Sequence, residues 1–391
     1  MSEKILNPSL QIKKFQTGNV LLLSFSHFIH DIYTSFLAPL LPLIIENFSI
    51  TLGQAGLLST VMQIPSLFNP VIGMLVDRKG LVKWLIILSP TLTAIPMSLI
   101  GLASSYWMLL FMFFAAGISV AMYHVPAPVL IARVAGDKKG RGMSFYMTGG
   151  EAARTLGPII AVGVVSMGGL QGFYPMLLCA VFTSVILYTQ LADVDMPAPS
   201  PVKLSIGSTM KEIREVMVPL AGILTARSFM HSAMAVFLPV FIEKETGNLW
   251  LAGSGLALYE ALGVAGVLSA GSLSDLMGRK KILTAAVVAA PVALFIFATT
   301  DGWVRIAMML ITGFTLLSTT PVMLAVIQEH AVESPSAANG LFMMVSFITR
   351  AVAMVIVGVV GDYAGLENMY IISSLLGLIA IPFVFKLKCS N

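Results

Sequence analysis

Apolar runs about as long as a bilayer-spanning helix follow one another along nearly the whole chain, each closed by a charged cluster or Gly/Pro punctuation. Their limits predict twelve helices, at 19–45, 54–76, 83–103, 107–134, 140–167, 172–190, 218–243, 250–276, 281–300, 303–330, 337–362 and 366–386. The runs lack the alternation of a β-barrel, so the expected fold class is an all-α membrane protein. One long polar stretch, 191–217, interrupts the series. It carries Asp193 and Asp195, then Pro197, Pro199 and Pro201, then an amphipathic segment from Lys211 to Met217. This predicts a cytoplasmic linker with an interfacial helix, set between a six-helix bundle over 1–190 and a second over 218–391.

Composition narrows the class. Hydrophobic residues make up 57% of the 391 and charged residues 11%. A soluble domain is about a quarter charged, so a water-soluble globule is excluded. The net charge of +4 reflects sidedness: with the N-terminus inside, 18 of the 23 Lys and Arg fall on the cytoplasmic side, and only Lys244 and Arg305 on the other. Both termini are therefore expected in the cytoplasm, in a multi-pass protein of the inner membrane, and the charge implies no nucleic-acid partner. Lys4, Lys13 and Lys14 lead into a full-length span with no small-residue cleavage site, which predicts no cleaved leader. Cys179 and Cys389 offer no disulfide framework.

The halves repeat. Gly73, Asp77, Arg78 and Gly80 follow the second helix; Gly271, Asp275, Gly278 and Arg279 follow the eighth. Gly73 to Gly271, Asp77 to Asp275 and Gly142 to Gly340 share one offset of 198 residues, which implies a parallel duplication into two pseudo-symmetric bundles. This doubled Gly-x-Leu-x-Asp pattern in a twelve-helix chain resembles the major facilitator superfamily. Ser26 to Tyr33, Pro39 to Pro42, Tyr123-His124-Val125-Pro126 and Leu156-Gly157-Pro158 are similar to the fosmidomycin-resistance-type subfamily. The resemblance implies a secondary transporter working by alternating access, with helices 1, 4, 7 and 10 lining a cavity. It also implies a small-molecule substrate, protons as coupling ion, no cofactor and a monomer in the bilayer. The repeated motif would latch the halves on the cytoplasmic side, although Leu81 and Leu276 stand where the family usually has arginine.

Six ionisable side chains fall well inside the predicted spans: Asp31, Glu151, Glu260, Arg154, Arg227 and Arg350. A charge at bilayer depth costs at least about 2.5–3.5 kcal/mol, so each needs a partner, water or a task. Asp31 shares a helix face with His27 at i−4, and it is the expected proton carrier; a simple Asp–His hydrogen bond is the plainer alternative. Glu151 and His124 are further proton-coupling candidates. Glu151 and Arg154, at i and i+3, are spaced to pair, and Gly157-Pro158 predicts a kink beyond them. Arg227 and His231 repeat the i, i+4 theme on the seventh helix; the resemblance, which puts helices 1 and 7 on one cavity, implies that Arg227 is in reach of Asp31. Arg227 and Arg154 are expected to hold a substrate's negative charge, with His231, Tyr33, Tyr123, Glu260 and Arg350 completing the contacts. His27-x-x-His30-Asp31 invites a metal reading, but His30 turns off the shared face and no Cys or second acid cluster accompanies it, so no metal is expected. Glu329 and His330 read as solvated.

An enzyme is not expected: Gly117-Ile118-Ser119-Val120-Ala121 mimics a nucleophile elbow but lies in mid-helix. No added soluble domain marks a receptor. Among transport modes the expected one is proton antiport exporting a small solute. Proton-coupled uptake of a small organic anion and lipid flipping are the alternatives.

Overall fold

The computed structural model describes residues 15–69, 72, 81–136, 139–191, 194, 206–330 and 335–388, and the regular elements among them are all helical. The first predicted span is two helices, α1 (Thr17–Thr34) and α2 (Leu37–Phe48). At their joint the Thr34 and Ser35 hydroxyls both donate back to the Asp31 carbonyl, at 2.9 Å each, and Pro39 supplies no amide to continue the ladder. Then come α3 (Leu52–Gln63), running on as a 3-10 turn over Ile64–Phe68, α4 (Val82–Ser98) and α5 (Tyr106–His124). Pro126 separates α5 from α6 (Ala127–Val134), and α7 (Lys139–Gly168) and α8 (Leu177–Gln190) complete the first half. The second half holds α9 (Ile206–Thr246), α10 (Leu249–Met277), α11 (Arg279–Thr299), α12 (Gly302–His330), α13 (Pro335–Ala364), α14 (Leu366–Gly377) and α15 (Ala380–Lys386). The corner between α10 and α11 is Gly278, whose φ of +99° favours a residue without a Cβ.

Ten helical stretches among the described residues are long and apolar enough to cross a membrane. With α3 and α7, the latter made more polar by Glu151 and Arg154, they form the twelve spans. Trp107, Phe111, Phe182 and Trp303 stand exposed on the outside of the bundle, as side chains facing lipid do.

One expectation is corrected. Residues 211–217 are no separate interfacial helix; they belong to α9, one 41-residue helix. Their apolar stripe of Ile213, Val216 and Met217 is buried with Val384 and Leu387 at the end of α15, so it packs on protein instead of lying on a membrane surface. Lys388 reaches across to Glu215 at 2.8 Å.

Among the described residues the halves meet chiefly where α3 packs on α13, α7 on α10, and α2 on both α9 and α10. The first two seams close on glycine. A Cβ on Gly56 would collide with the Met354 carbonyl, one on Gly358 with that of Leu52, and one on Gly253 would stand 2.7 Å from Val162. These contacts lie toward the bundle end opposite the chain termini. There a single apolar core runs through both halves, with Leu40, Phe113, Phe237, Leu256 and Met354 among its members. Toward the termini it divides. Val20, Ile86, Leu130 and Tyr146 pack within the first half, and Ile213, Val326, Phe342 and Val384 within the second. Among the described residues the halves are thus welded at one end and separately packed at the other.

Candidate functional site

Asp31 lies in the last turn of α1, midway along the first span, and three imidazoles converge on its carboxylate. His30 Nδ1 is 2.9 Å and His124 Nε2 3.1 Å from Oδ1, and His27 Nε2 is 3.2 Å from Oδ2. His27 and Asp31 meet because they share a face at i, i+4. His30 is next to Asp31 in sequence and is drawn in by tertiary contacts: Tyr123 stacks on its ring at 4.2 Å, and Thr93 of α4 holds its Nε2 at 3.0 Å. His27 is held likewise, stacked on Tyr146 at 4.0 Å with Nδ1 donating to the Tyr146 carbonyl at 2.8 Å. Both tyrosines are buried, and Tyr123 donates to Ser26 Oγ at 3.1 Å.

Glycine lets α7 come this close. A Cβ on Gly149 would collide with the Ser24 carbonyl, and one on Gly150 would lie 2.6 Å from the His27 ring. The doublet at 149–150 is therefore a packing requirement of the cluster.

The second group of charges lies between the halves. Arg154 pairs with Glu151 on α7. Glu260 of α10 is buried and lies within electrostatic range of Arg154, Glu151, Arg350 and Arg227, and His231 faces all three arginines. Arg227 donates from Nε to the Leu316 carbonyl at 3.0 Å, with Tyr259 and Glu260 as its charged or titratable neighbours. Arg350 donates to Gln63 Oε1 at 2.9 Å, bridging α13 to α3. Three arginines against two glutamates leave one positive charge in excess.

It is Arg154 that links the two groups, since it lies in range of both Glu260 and Asp31. Arg227, expected within reach of Asp31, interacts electrostatically with Tyr259 and Glu260. Arg154 and His124 keep 46% and 35% of their side-chain surface exposed, in contrast to the buried groups around them.

Other expected residues take different places. Tyr33 is buried and donates to the Met176 carbonyl at 2.5 Å, so it fastens α1 to the turn before α8. Tyr123 supports His30 from behind. Glu329 is not simply solvated, for Arg279 holds it at 3.0 Å, and His330 caps its own helix on the Val326 carbonyl at 2.9 Å. Arg279 also donates to Ser274. Gly271 and Asp275 lie in the last turns of α10, while Gly73, Asp77, Arg78 and Gly80 lie outside the described residues. His27, Asp31 and His124 present ligand atoms within 4.8 Å of one another, a spacing that suits either a proton or a cation. Sequence reasoning missed Thr93, Ser119 and the Tyr146 carbonyl, neutral groups whose part appears only once α4, α5 and α7 are packed on α1.

A family model described as Major Facilitator Superfamily matches residues 23–334 and 220–388. The fosmidomycin resistance protein of Escherichia coli K12 is 24% identical over 372 residues, covering 93% of this chain and 91% of that protein. The multi-drug resistance efflux pump PmrA of Streptococcus pneumoniae is 24% identical over 281 residues, covering 68% and 70%. Among solved structures, a bacterial homolog of the human lysosomal transporter Spinster, in an inward-facing and unoccupied conformation, superposes with a TM-score of 0.80 at 15% identity, covering 95% and 97%. The nucleoside transporter NupG gives 0.77 at 12% identity, covering 94% and 99%.

Proposed function

Because the chain belongs to the major facilitator superfamily, and is a membrane transporter and not an enzyme, we propose that it exports a small organic solute by proton antiport. The observation that carries this reading is the Asp31 carboxylate, enclosed by three imidazoles and connected through Arg154 to a charged centre between the halves. A buried acid beside an open arginine is a means of making one binding event sense another. Two relatives named for resistance and efflux support the outward direction.

The distribution of basic residues supports a bilayer placement. With the termini in the cytoplasm of an inner-membrane protein, the welded end faces out and the divided end faces in. Transport then requires the α3–α13 and α7–α10 seams to open while the terminal end closes, a rocking of two halves about the charged centre. Arg154, Arg227, Arg350, His231 and Glu260 form the substrate side of that centre, and Asp31, His27, His124 and Glu151 the proton side.

The sign of coupling depends on what the solute brings. A solute that donates hydrogen bonds or positive charge toward Asp31 competes with the proton, which is antiport. A carboxylate or phosphonate on Arg154 would draw that guanidinium from Asp31 and favour proton uptake. The excess positive charge among the arginines supports this second reading, proton-coupled uptake of an organic anion.

Everted vesicles energised acid-inside separate the two readings. Ethidium and fosmidomycin are added in turn, and the pH gradient is followed by a fluorescent amine. Antiport predicts that a transported solute discharges the gradient in the wild type and fails to do so in Asp31→Asn. Equal discharge by wild type and Asp31→Asn would refute Asp31 as the coupling group. A gradient that drives the solute out of the vesicles would establish symport.

A further inference from the structure

The hydrogen bonds around Asp31 can be followed proton by proton, starting from groups with no choice. The Ser89 carbonyl can only accept, so Ser119 spends its hydroxyl proton there, at 3.0 Å. Thr93 then donates to Ser119 Oγ at 2.8 Å. With its own proton committed, Thr93 Oγ can only accept from His30 Nε2, at 3.0 Å. A neutral His30 therefore carries its proton on Nε2 and turns a bare Nδ1 to Asp31 Oδ1, 2.9 Å away.

His27 is constrained in the same way. Its Nδ1 donates to the Tyr146 carbonyl, so a neutral ring turns a bare Nε2 toward Asp31 Oδ2. That buried nitrogen has no aligned hydrogen-bond partner. Two imidazole lone pairs thus confront one carboxylate. With no further proton, acceptors would face each other at 2.9 Å, an arrangement that buried polar groups avoid.

We propose that Asp31, His30, His27 and His124 form one proton-holding unit, in which an extra proton is shared between Asp31 Oδ1 and His30 Nδ1 and exchanges with the cavity through His124. This rests on the reading of Asp31 as the proton carrier and adds His30 and Thr93 to it as positioning residues. The groups facing Asp31 are His27 and His30 from α1, His124 and Tyr123 from α5, Tyr146 and Arg154 from α7, and the neutral Thr93 from α4. The His27 and His30 side chains are at most 5% exposed, so His124, at 35%, is the one imidazole of the three open to water. The Thr93–Ser119–Ser89 chain ends on a helix carbonyl and fixes the tautomer without passing a proton onward.

The test uses the full chain in lipid nanodiscs with 15N-labelled histidine. Resonances are assigned by His27→Gln, His30→Gln and His124→Gln, and read across a pH series. The expected wild-type pattern is His30 protonated at Nε2, with Nδ1 in a strong hydrogen bond. Thr93→Val frees the ring to change tautomer and donate from Nδ1 to an ionised Asp31, so the extra proton is given up about one pH unit lower, the worth of one hydrogen bond. Thr93→Ser restores the wild-type pattern, which a merely structural role for Thr93 would not require. His124→Phe leaves that pattern but slows proton exchange by about a hundredfold. Exchange is followed after a pH jump through the infrared carboxyl band that Asp31→Asn removes. A bare Nε2 on wild-type His30, or identical behaviour of Thr93→Val and Thr93→Ser, overturns the shared proton; undiminished exchange in His124→Phe overturns the gateway. If the pattern holds while vesicle coupling is indifferent to Asp31, the unit stands and the coupling role falls.

Discussion

Asp362, near the end of α13, caps the first turn of α3 in the other half, its Oδ2 accepting from the Gly53 amide at 2.8 Å. Its Oδ1 accepts from the neighbouring Leu52 amide at 2.6 Å, so one carboxylate binds two of the free amides of a helix N-terminus. Thr51 and Gln54 form a capping box at the same turn, which leaves those two amides for Asp362. A Cβ on Gly53 would sit 3.1 Å from Asp362 Oδ2, so glycine is what admits the carboxylate. The contact joins the halves at the welded end and has to break whenever that end opens.

Asp362→Ala should therefore shift the resting equilibrium toward opening of this end by about 0.5–2 kcal/mol, the usual worth of a helix cap. Spin labels at Thr51→Cys and Tyr363→Cys, in a background lacking Cys179 and Cys389, would show a longer distance population growing. An unchanged distribution would mean that the glycine seam alone holds the end shut.

Alanine at two glycines should behave oppositely. Gly150→Ala drives a methyl group against the His27 ring, and a loss of about 1–3 kcal/mol is expected from overpacking. Gly340 lies in a helix with nothing within 4 Å of its missing Cβ, so Gly340→Ala should be neutral or gain up to about 1 kcal/mol. Thermal unfolding in matched detergent compares them directly.

Arg154→Ala and Arg227→Ala should both weaken an anionic solute, by about 2–5 kcal/mol if a buried charge pair is lost. They should differ in pH dependence. Arg154 interacts electrostatically with Asp31, so Arg154→Ala should also alter how binding varies with pH, while Arg227→Ala should leave that profile in place. Calorimetric titration with an organic phosphonate at several pH values distinguishes the two.

The Arg279–Glu329 pair is partly open to water, and a double-mutant cycle on thermal stability should give a coupling of about 0.2–1 kcal/mol. A larger value would show that the corner at Gly278 depends on this pair for its geometry.

The twelve spans were legible because each is an apolar run ended by charge or by a helix breaker. The six intramembrane charges were legible as outliers, and five of them do gather between the halves. Partners were harder to read. His30 and Asp31 are adjacent, which on a helical wheel divides them between faces; Thr93, 63 residues away, and Tyr123 bring them together. Asp362 finds α3 across 310 residues of sequence, a distance no local pattern spans. The amphipathic stripe at 213–217 looked fit for a membrane surface, because a sequence does not say whether lipid or a neighbouring helix will cover an apolar face.

α9 has a mechanical consequence. Its 41 residues make a rod about 60 Å long at 1.5 Å per residue, against a bilayer of about 40–45 Å with its headgroups. Part of the rod therefore stands in water, tied at its side by Lys388 to Glu215, while Arg227 sits near its midpoint. Pro219 lies between Glu215 and Arg227, so the outer end is joined to the charged centre through a proline-bent stretch of helix. A partner that grips that outer end, an antibody fragment for instance, should therefore slow movement at the charged centre without reaching it.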